Sequence, residues 1–166
     1  MAERRRVVPD CSVLVEAFLR PSKGSRYVRA TQLVSEIRNE RVVCFAPEIL
    51  IFEFMKVTRD LIGGRRPQLA SREEVDQQWN DFLKLSESIV YIPTMKLAAA
   101  AMTCCRDSDI SAQDSWYLAA AEAYSAELWI SHWHRDGFTV SASKAYGNVY
   151  TLDQNDFYFP TRKRKG

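Results

Sequence analysis

Residues 7–19 have the sequence VVPDCSVLVEAFL, in which a short apolar run passes through a proline and an acid into a helical pattern. The two valines predict the end of a buried strand, because Pro9 lacks the amide hydrogen that a strand interior needs. Asp10 then follows the strand directly, and Ser12 is predicted to cap the helix that begins there. An acid in this position lies where ligands bind in open parallel sheets.

The remaining chain alternates short apolar runs with longer amphipathic stretches. Residues 42–46, 89–92, 128–131 and 149–152 are predicted as further strands, and helical patterns lie between most of them. This alternation predicts an α/β fold with a central parallel sheet of four or five strands and helices on both faces. With 166 residues, of which 46% are hydrophobic, the chain fits a single domain spanning residues 1–166.

The two ends of the chain are more basic than its body. Lys and Arg number 23 against 21 Asp and Glu, which gives a net charge of +2. Seven of the 23 basic residues lie in basic tails at residues 1–6 and 161–166. These tails are interpreted either as contacts to RNA phosphate or as solvated termini.

The cysteine content predicts a reducing environment. The four cysteines form no C-x-x-C pair and no spacing with histidine that fits a structural zinc site. We therefore predict reduced thiols and a cytoplasmic protein. No run approaches about 18 consecutive apolar residues, so no association with a membrane is predicted.

A second acid lies inside an apolar helix. Residues 49–55 have the sequence ILIFEFM, in which Glu53 is the only charge. Burial of a carboxylate is costly unless a cation or several hydrogen-bond donors accompany it. The alternative is a narrow solvated stripe beside Lys56, or an ion pair with an arginine.

A third acid lies at the start of a later helix. Ser111 and Asp114 have the S-x-x-D spacing of a capping box, so capping could explain Asp114, as it could explain Asp10. If Asp10, Glu53 and Asp114 converge, however, their mutual repulsion requires a cation. Oxygen ligands suit Mg²⁺ or Mn²⁺, which can activate water and orient phosphate for phosphodiester cleavage.

The sequence is similar to PIN-domain proteins in several ordered motifs. Residues 8–15, VPDCSVLV, resemble the D-x-S opening of that family, and residues 46–53, APEILIFE, resemble its second motif with a helical Glu. Residues 110–121, ISAQDSWYLAAA, resemble the third motif, and residues 126–131, AELWIS, resemble the strand before a T-x-D motif. The resemblance covers most of the chain.

The resemblance implies a PIN-like three-layer fold and an acidic pocket for Mg²⁺ or Mn²⁺. Many PIN domains cleave single-stranded RNA, and the small members are mostly VapC toxins of type II toxin–antitoxin pairs, commonly homodimeric and held inactive by a VapB-like antitoxin. The same roles are expected for this chain. Asp10, Glu53 and Asp114 would bind the metal and act in catalysis, and Ser12 would support the first acid.

The fourth acid of the PIN pattern is displaced. The T-x-D motif aligns Ser131, as a supporting residue, with the Thr and Trp133 with the Asp. Because Trp cannot ligate a metal, the nearest catalytic and metal-binding substitute is Asp136, which a longer loop ending in Gly137 would bring to the same place. The alternative for Asp136 is a surface Asp-Gly turn.

The segment around Asp136 also contains both histidines of the chain. His132 and His134 could form a zinc pair, contact phosphate, act as a general acid, or be solvated loop residues. With Arg135 they are candidate nucleic-acid contacts. Tyr117, by contrast, is predicted as a core or interface residue.

Two other functions remain open. The altered fourth motif is compatible with a catalytically weakened PIN-fold module that binds RNA or protein without cleaving it. A phosphatase-type hydrolase would also have an acid after the first strand, but such enzymes usually carry a D-x-D pair, and the second position here is Ser12.

Overall fold

Five parallel strands form one sheet in the computed structural model, which describes residues 4–19, 24–62, 71–108, 110–132 and 146–153. Within those ranges the strands are β1 (Arg6–Pro9), β2 (Val43–Pro47), β3 (Ile89–Ile92), β4 (Glu127–Ile130) and β5 (Val149–Thr151). The helices are α1 (Cys11–Phe18), α2 (Ser25–Arg38), α3 (Ile49–Ile62), α4 (Arg72–Ser86), α5 (Thr94–Ser108) and α6 (Ala112–Ala123). The predicted α/β class with a parallel sheet of four or five strands is confirmed.

The strand order is β3-β2-β1-β4-β5. β1 pairs in parallel with β2 on one side and with β4 on the other, with Pro9 opposite Trp129. The chain therefore builds outward from β1 to β3 in one direction and then returns to add β4 and β5 on the other side. The boundary between β1 and β4 is the switch point at which open α/β sheets bind ligands.

Helices cover both faces of this sheet. α6 packs on β1, β2 and β4, and α5 packs on α6. α1 packs on β1 and β4 and contacts α2, α3 and α4. Right-handed crossovers in two opposite directions place α1 to α4 on one face and α5 with α6 on the other, which gives three layers.

An aromatic cluster fixes α3 against α4. Phe54 stacks on Phe82 with ring centroids 4.2 Å apart, and Trp79 stacks on Phe54 at 6.1 Å. Phe54 and Phe82 are fully buried, and aromatic pairs of this kind contribute about 1 kcal/mol beyond their burial. This packing sets the rotation of α3 and hence the direction in which the neighbouring Glu53 points.

The helix after β1 begins two residues earlier than a cap at Ser12 predicts. α1 starts at Cys11 with Asp10 in the N-cap position, in extended conformation. Ser12 therefore lies in the first turn of α1, and the prediction that it caps the helix is wrong. Its hydroxyl donates to Asp10 instead.

The arginines at the start of the described chain contact the body of the protein. Arg5 forms a bidentate ion pair with Glu127 at the start of β4. Arg6 donates a hydrogen bond to the backbone carbonyl of Tyr124. Because the strands are parallel, these contacts lie at the amino-terminal edge of the sheet, opposite the end at which Asp10 follows β1. The tail at residues 161–166 lies outside the described residues.

The described ranges contain all four cysteines, and no disulfide joins them. None of the helices in these ranges is long and apolar enough to span a bilayer.

Candidate active site

The candidate site lies at the carboxyl ends of β1 and β4. Asp10 immediately follows β1, and its amide donates to the carbonyl of Trp129 in β4 at 2.8 Å. Ser131 and His132 immediately follow β4. The two strands on either side of the switch point therefore deliver polar side chains to one place.

The carboxylate of Asp10 accepts a hydrogen bond from another residue of the site. Although it occupies the N-cap position of α1, its side chain makes no capping hydrogen bond within the described residues. Its Oδ2 accepts a hydrogen bond from the hydroxyl of Ser12 at 2.6 Å, and the residue is only 6% exposed. Capping therefore does not explain the carboxylate of Asp10.

A second contact of Ser12 joins the two strand ends. The amide of Ser131 donates to the Ser12 hydroxyl oxygen at 3.1 Å, so this hydroxyl accepts from β4 and donates to Asp10. The hydroxyl of buried Ser131 lies 2.6 Å from Nδ1 of His132. Both serines predicted to support the site lie beside its first acid, and the His132 ring is held at the same edge.

Glu53 contributes a buried carboxylate from the second turn of α3. It is 8% exposed, and its Oε2 accepts a hydrogen bond from the phenol of Tyr117 in α6 at 2.6 Å. Its other oxygen, Oε1, is buried and has no hydrogen-bond partner among the described residues. The partner is therefore a tyrosine, and neither the predicted solvated stripe nor an arginine pair describes this residue.

The environment of Glu53 favours the protonated, uncharged form of its carboxyl group when no cation is bound. Burial raises its pKa from 4.5 to about 7, with further increases from the charges of Asp10 and Asp114. The Tyr117 hydrogen bond opposes this rise, as does the side chain of Gln113, which still leaves Oε1 without a partner. The repulsion by both other acids indicates that the three carboxylates share one electrostatic environment.

Asp114 approaches from the first turn of α6. Its amide donates to the hydroxyl of Ser111 at 3.0 Å, as the predicted cap requires. Its side chain is half-buried and raises the pKa of Glu53. Capping thus accounts for the backbone of Asp114, and its charge acts on the site.

Tyr117 is a site residue that the sequence did not single out. It is fully buried, as predicted for a core aromatic, but its hydroxyl also contacts the site through Glu53. Burial raises its pKa well above 10, and the charges of Asp10, Cys11 and Glu53 raise it further. It therefore stays a neutral donor. The available signal was its position three residues after Asp114, one helical turn away on the same face.

The donor chemistry of this cluster fits a hard divalent cation. The buried Oε1 of Glu53 lacks a donor within the described residues, and the carboxylates of Asp10 and Asp114 repel it. Oxygen-only ligands suit Mg²⁺ or Mn²⁺. The described part of the chain nevertheless contains no preformed group of three or more Asp, Glu, His or Cys side chains arranged around one ion.

Several predicted site residues cannot be placed. Asp136, His134 and Arg135 lie outside the described residues, as does Trp133 at the aligned position of the fourth acid. The predicted fourth ligand and all three nucleic-acid contacts, His132 included, therefore stay predictions.

An apolar groove lies at the start of α3. It has a volume of about 450 Å³ and is lined by the starts of α3 and α5 and by α6, at Glu48, Ile49, Ile51, Phe52, Thr94 and Trp116. Phe52 is 65% exposed and Met95, next to Thr94, is 85% exposed. Exposed apolar side chains around a groove are typical of a binding surface.

Comparison with known proteins identifies the fold. The sequence matches no protein-family model and no curated protein. Among solved structures, the chain is similar to a toxin–antitoxin complex from Klebsiella pneumoniae, with 17% identity and a TM-score of 0.55 over 88% of this chain and 97% of that one. It is also similar to FitAcB from Neisseria gonorrhoeae, with 19% identity and a TM-score of 0.57 over 90% and 99% of the two chains.

A third similar structure is that of PAE2754 from Pyrobaculum aerophilum, with 13% identity and a TM-score of 0.59 over 90% of each chain. At these identities the likeness concerns the fold. Together with the parallel sheet and its two helical layers, it confirms the PIN-like three-layer architecture that the sequence motifs implied.

Proposed function

We propose that this protein, a chain with a PIN-like fold, is a Mg²⁺- or Mn²⁺-dependent endoribonuclease that cleaves single-stranded RNA. The observation that carries the proposal is the carboxylate of Glu53, which is buried with one oxygen lacking a donor among the described residues and is repelled by Asp10 and Asp114. Such an arrangement of carboxylates lowers the stability of the folded protein unless a cation balances their charge. Its place at the switch point of the sheet is where ligands bind in folds of this kind.

The residues divide the work of hydrolysis among them. Asp10, Glu53 and Asp114 would hold the cation, which when bound lowers the pKa of water and stabilises the charge that develops on phosphate. Ser12 keeps Oδ2 of Asp10 in one orientation through its 2.6 Å hydrogen bond. Asp136 is proposed as the fourth acid, and His132, His134 and Arg135 as contacts to RNA.

The proposal is tested by RNA cleavage with purified protein. Cleavage of a single-stranded oligoribonucleotide should require Mg²⁺ or Mn²⁺ and should be lost in Asp10→Asn and Glu53→Gln, both of which remove a charge without changing shape. Unchanged thermal unfolding of the variants would show that they are folded. Full activity in EDTA, or in both variants, would disprove a metal-dependent mechanism.

A second function is favoured by one specific feature, the absence of a preformed three-ligand group in the described part of the chain. With Trp133 in place of the aligned acid, the protein would be a catalytically weakened module that binds RNA or protein without cleaving. Asp136→Asn discriminates between the two functions. If the wild type cleaves RNA and Asp136→Asn binds RNA without cleaving it, the enzyme is supported. If the wild type itself binds RNA without cleaving it, the module is supported.

The biological role that we propose is that of the toxin in a type II toxin–antitoxin pair. The supporting observation is the shared fold with a structure described as a toxin–antitoxin complex. Induction of the protein should arrest bacterial growth, induction of Asp10→Asn should not, and co-expression of a VapB-like antitoxin from the neighbouring reading frame should restore growth. The reduced cysteines and an RNA substrate both fit a cytoplasmic protein.

We also propose a homodimer formed through exposed apolar side chains of α3 and α5, two helices whose starts line one groove. These side chains, called the apolar face below, are Phe52, Met55, Met95 and Met102, each between 48% and 85% exposed. Met95 and Met102 are seven residues apart and so lie on the same side of α5. Burial of these side chains against a second copy would remove a large apolar surface from water.

A further inference from the structure

We infer that Tyr117 makes Glu53 a monodentate ligand, which binds a cation through one oxygen, and that the site therefore prefers Mg²⁺ over Ca²⁺. The inference rests on the proposed function, since it concerns how the acids hold a cation. It assigns to Tyr117 the role of a positioning residue that acts through Glu53.

The geometry gives the two oxygens of Glu53 different roles. The Tyr117 phenol donates to Oε2 at 2.6 Å, a short charge-assisted hydrogen bond, while Oε1 has no donor within the described residues. A cation that used both oxygens would have to share Oε2 with this phenol, which makes Oε2 the weaker ligand of the two. The phenol is fully buried and has nowhere else to donate without loss of a hydrogen bond. Oε1, which has no donor among the described residues, is therefore the oxygen favoured for binding an ion.

Helix packing fixes the position of the Tyr117 phenol relative to Glu53. Tyr117 lies in α6 on one face of the sheet, and Glu53 lies in α3, whose rotation is fixed by the stacked rings of Phe54 and Phe82. Neither helix can turn without disturbing a packed layer.

The two cations differ in what they require of a carboxylate. Ca²⁺ takes six to eight oxygens and commonly uses both oxygens of a Glu, whereas Mg²⁺ keeps an octahedral shell with several waters and accepts single oxygens. A Glu53 limited to Oε1 thus removes one ligand from Ca²⁺ and none from Mg²⁺. Loss of the phenol should remove this discrimination.

The experiment measures Mg²⁺ and Ca²⁺ binding to metal-free protein by calorimetry, without any assay of cleavage. Tyr117→Phe keeps the ring in the core and removes only the donor. We expect weaker Mg²⁺ binding, by about 10-fold as for other residues that orient metal ligands, and Ca²⁺ binding that is unchanged or tighter. Tyr91→Phe is the matched control, because it also removes a hydroxyl hydrogen bond, to Ser86 at 2.8 Å, outside the acidic cluster.

A double-mutant cycle separates this role from a general loss of structure. In the Glu53→Gln background, Tyr117→Phe should have no further effect on the ratio of the Ca²⁺ and Mg²⁺ dissociation constants. Equal weakening of both ions by Tyr117→Phe, or the same change in Tyr91→Phe, would overturn the inference while leaving the proposed function intact. No binding of either ion by the wild type would overturn both.

A measurement on the wild type covers the case in which Tyr117→Phe does not fold. Infrared difference spectra against Glu53→Gln report the separation between the antisymmetric and symmetric carboxylate stretches of Glu53. This separation should be wide with Mg²⁺, as for a carboxylate bound through one oxygen. A narrow separation, as for binding through both oxygens, would contradict the inference.

Discussion

The amide of Ser131, at the end of β4, donates to the hydroxyl of Ser12, in the first turn of α1, over 3.1 Å. These residues are 119 positions apart in sequence. The same hydroxyl donates to Oδ2 of Asp10, so one side chain both joins the two strand ends and orients the first acid of the site.

We expect Ser12→Ala to lower the free energy of unfolding by about 1–3 kcal/mol. The variant removes a hydrogen bond to a carboxylate and leaves the Ser131 amide without this acceptor, and hydrogen bonds to charged groups contribute in this range. Urea denaturation measures the change. Ser25→Ala, at the exposed start of α2, should stay within about 0.5 kcal/mol of the wild type, and an equal loss in both variants would contradict the role of Ser12.

The stability of the metal-free protein should fall as the pH rises from about 4.5 to about 7. The pKa of Glu53 is about 7 in the folded protein against 4.5 for an ordinary Glu, so the folded state binds its proton more tightly. Stability is therefore greatest below the lower value and declines through this window, by roughly 1–3 kcal/mol. Urea denaturation in EDTA at several pH values measures the decline.

Glu53→Gln is the control for this pH dependence, since the amide does not titrate. The decline in its stability over the same pH range should be smaller than that of the wild type by the contribution of Glu53. Parallel curves for the two proteins would show that Glu53 does not titrate in this window.

Arg5, which precedes β1, should contribute to stability and not to RNA binding. Arg5 pairs with Glu127 at the amino-terminal edge of the sheet, opposite the acidic site. Arg5→Ala should destabilise the protein by about 1 kcal/mol, as for a partly exposed ion pair. It should leave RNA affinity and its salt dependence unchanged, because that dependence reports phosphate contacts. A smaller salt dependence in filter-binding or anisotropy titrations would place Arg5 in the RNA interface.

The apolar face should control association of the protein. Met95→Glu introduces a charge at an 85% exposed position, so it should convert a dimer to a monomer with thermal stability of the monomer unchanged. Light scattering coupled to size-exclusion chromatography measures the mass. Leu83→Glu, at an exposed position on α4, is the control and should stay dimeric; a monomeric wild type, or a dimeric Met95→Glu, would disprove this interface.

Much of the architecture follows from local features of the chain. The valines before Pro9, the apolar run around Glu53 and the Ser111 cap each predict an element from backbone and burial preferences that act over a few residues. The motif resemblance then selected Asp10, Glu53 and Asp114 as the candidate site acids. Helix starts were less accurate, as at Ser12, because a cap depends on one side-chain hydrogen bond that can form elsewhere.

The sequence by itself determined the α/β class and selected Asp10, Glu53 and Asp114 as candidate site acids, because periodicity and misplaced charge are local properties. Only the tertiary structure placed β4 beside β1, brought Ser131 to Ser12 and put the Tyr117 phenol on Glu53. These contacts span 64 residues or more, and their geometry depends on strand order and helix rotation, which follow from packing of the whole core. The raised pKa of Glu53 has the same origin, since both its burial and the nearness of the other acids result from tertiary packing.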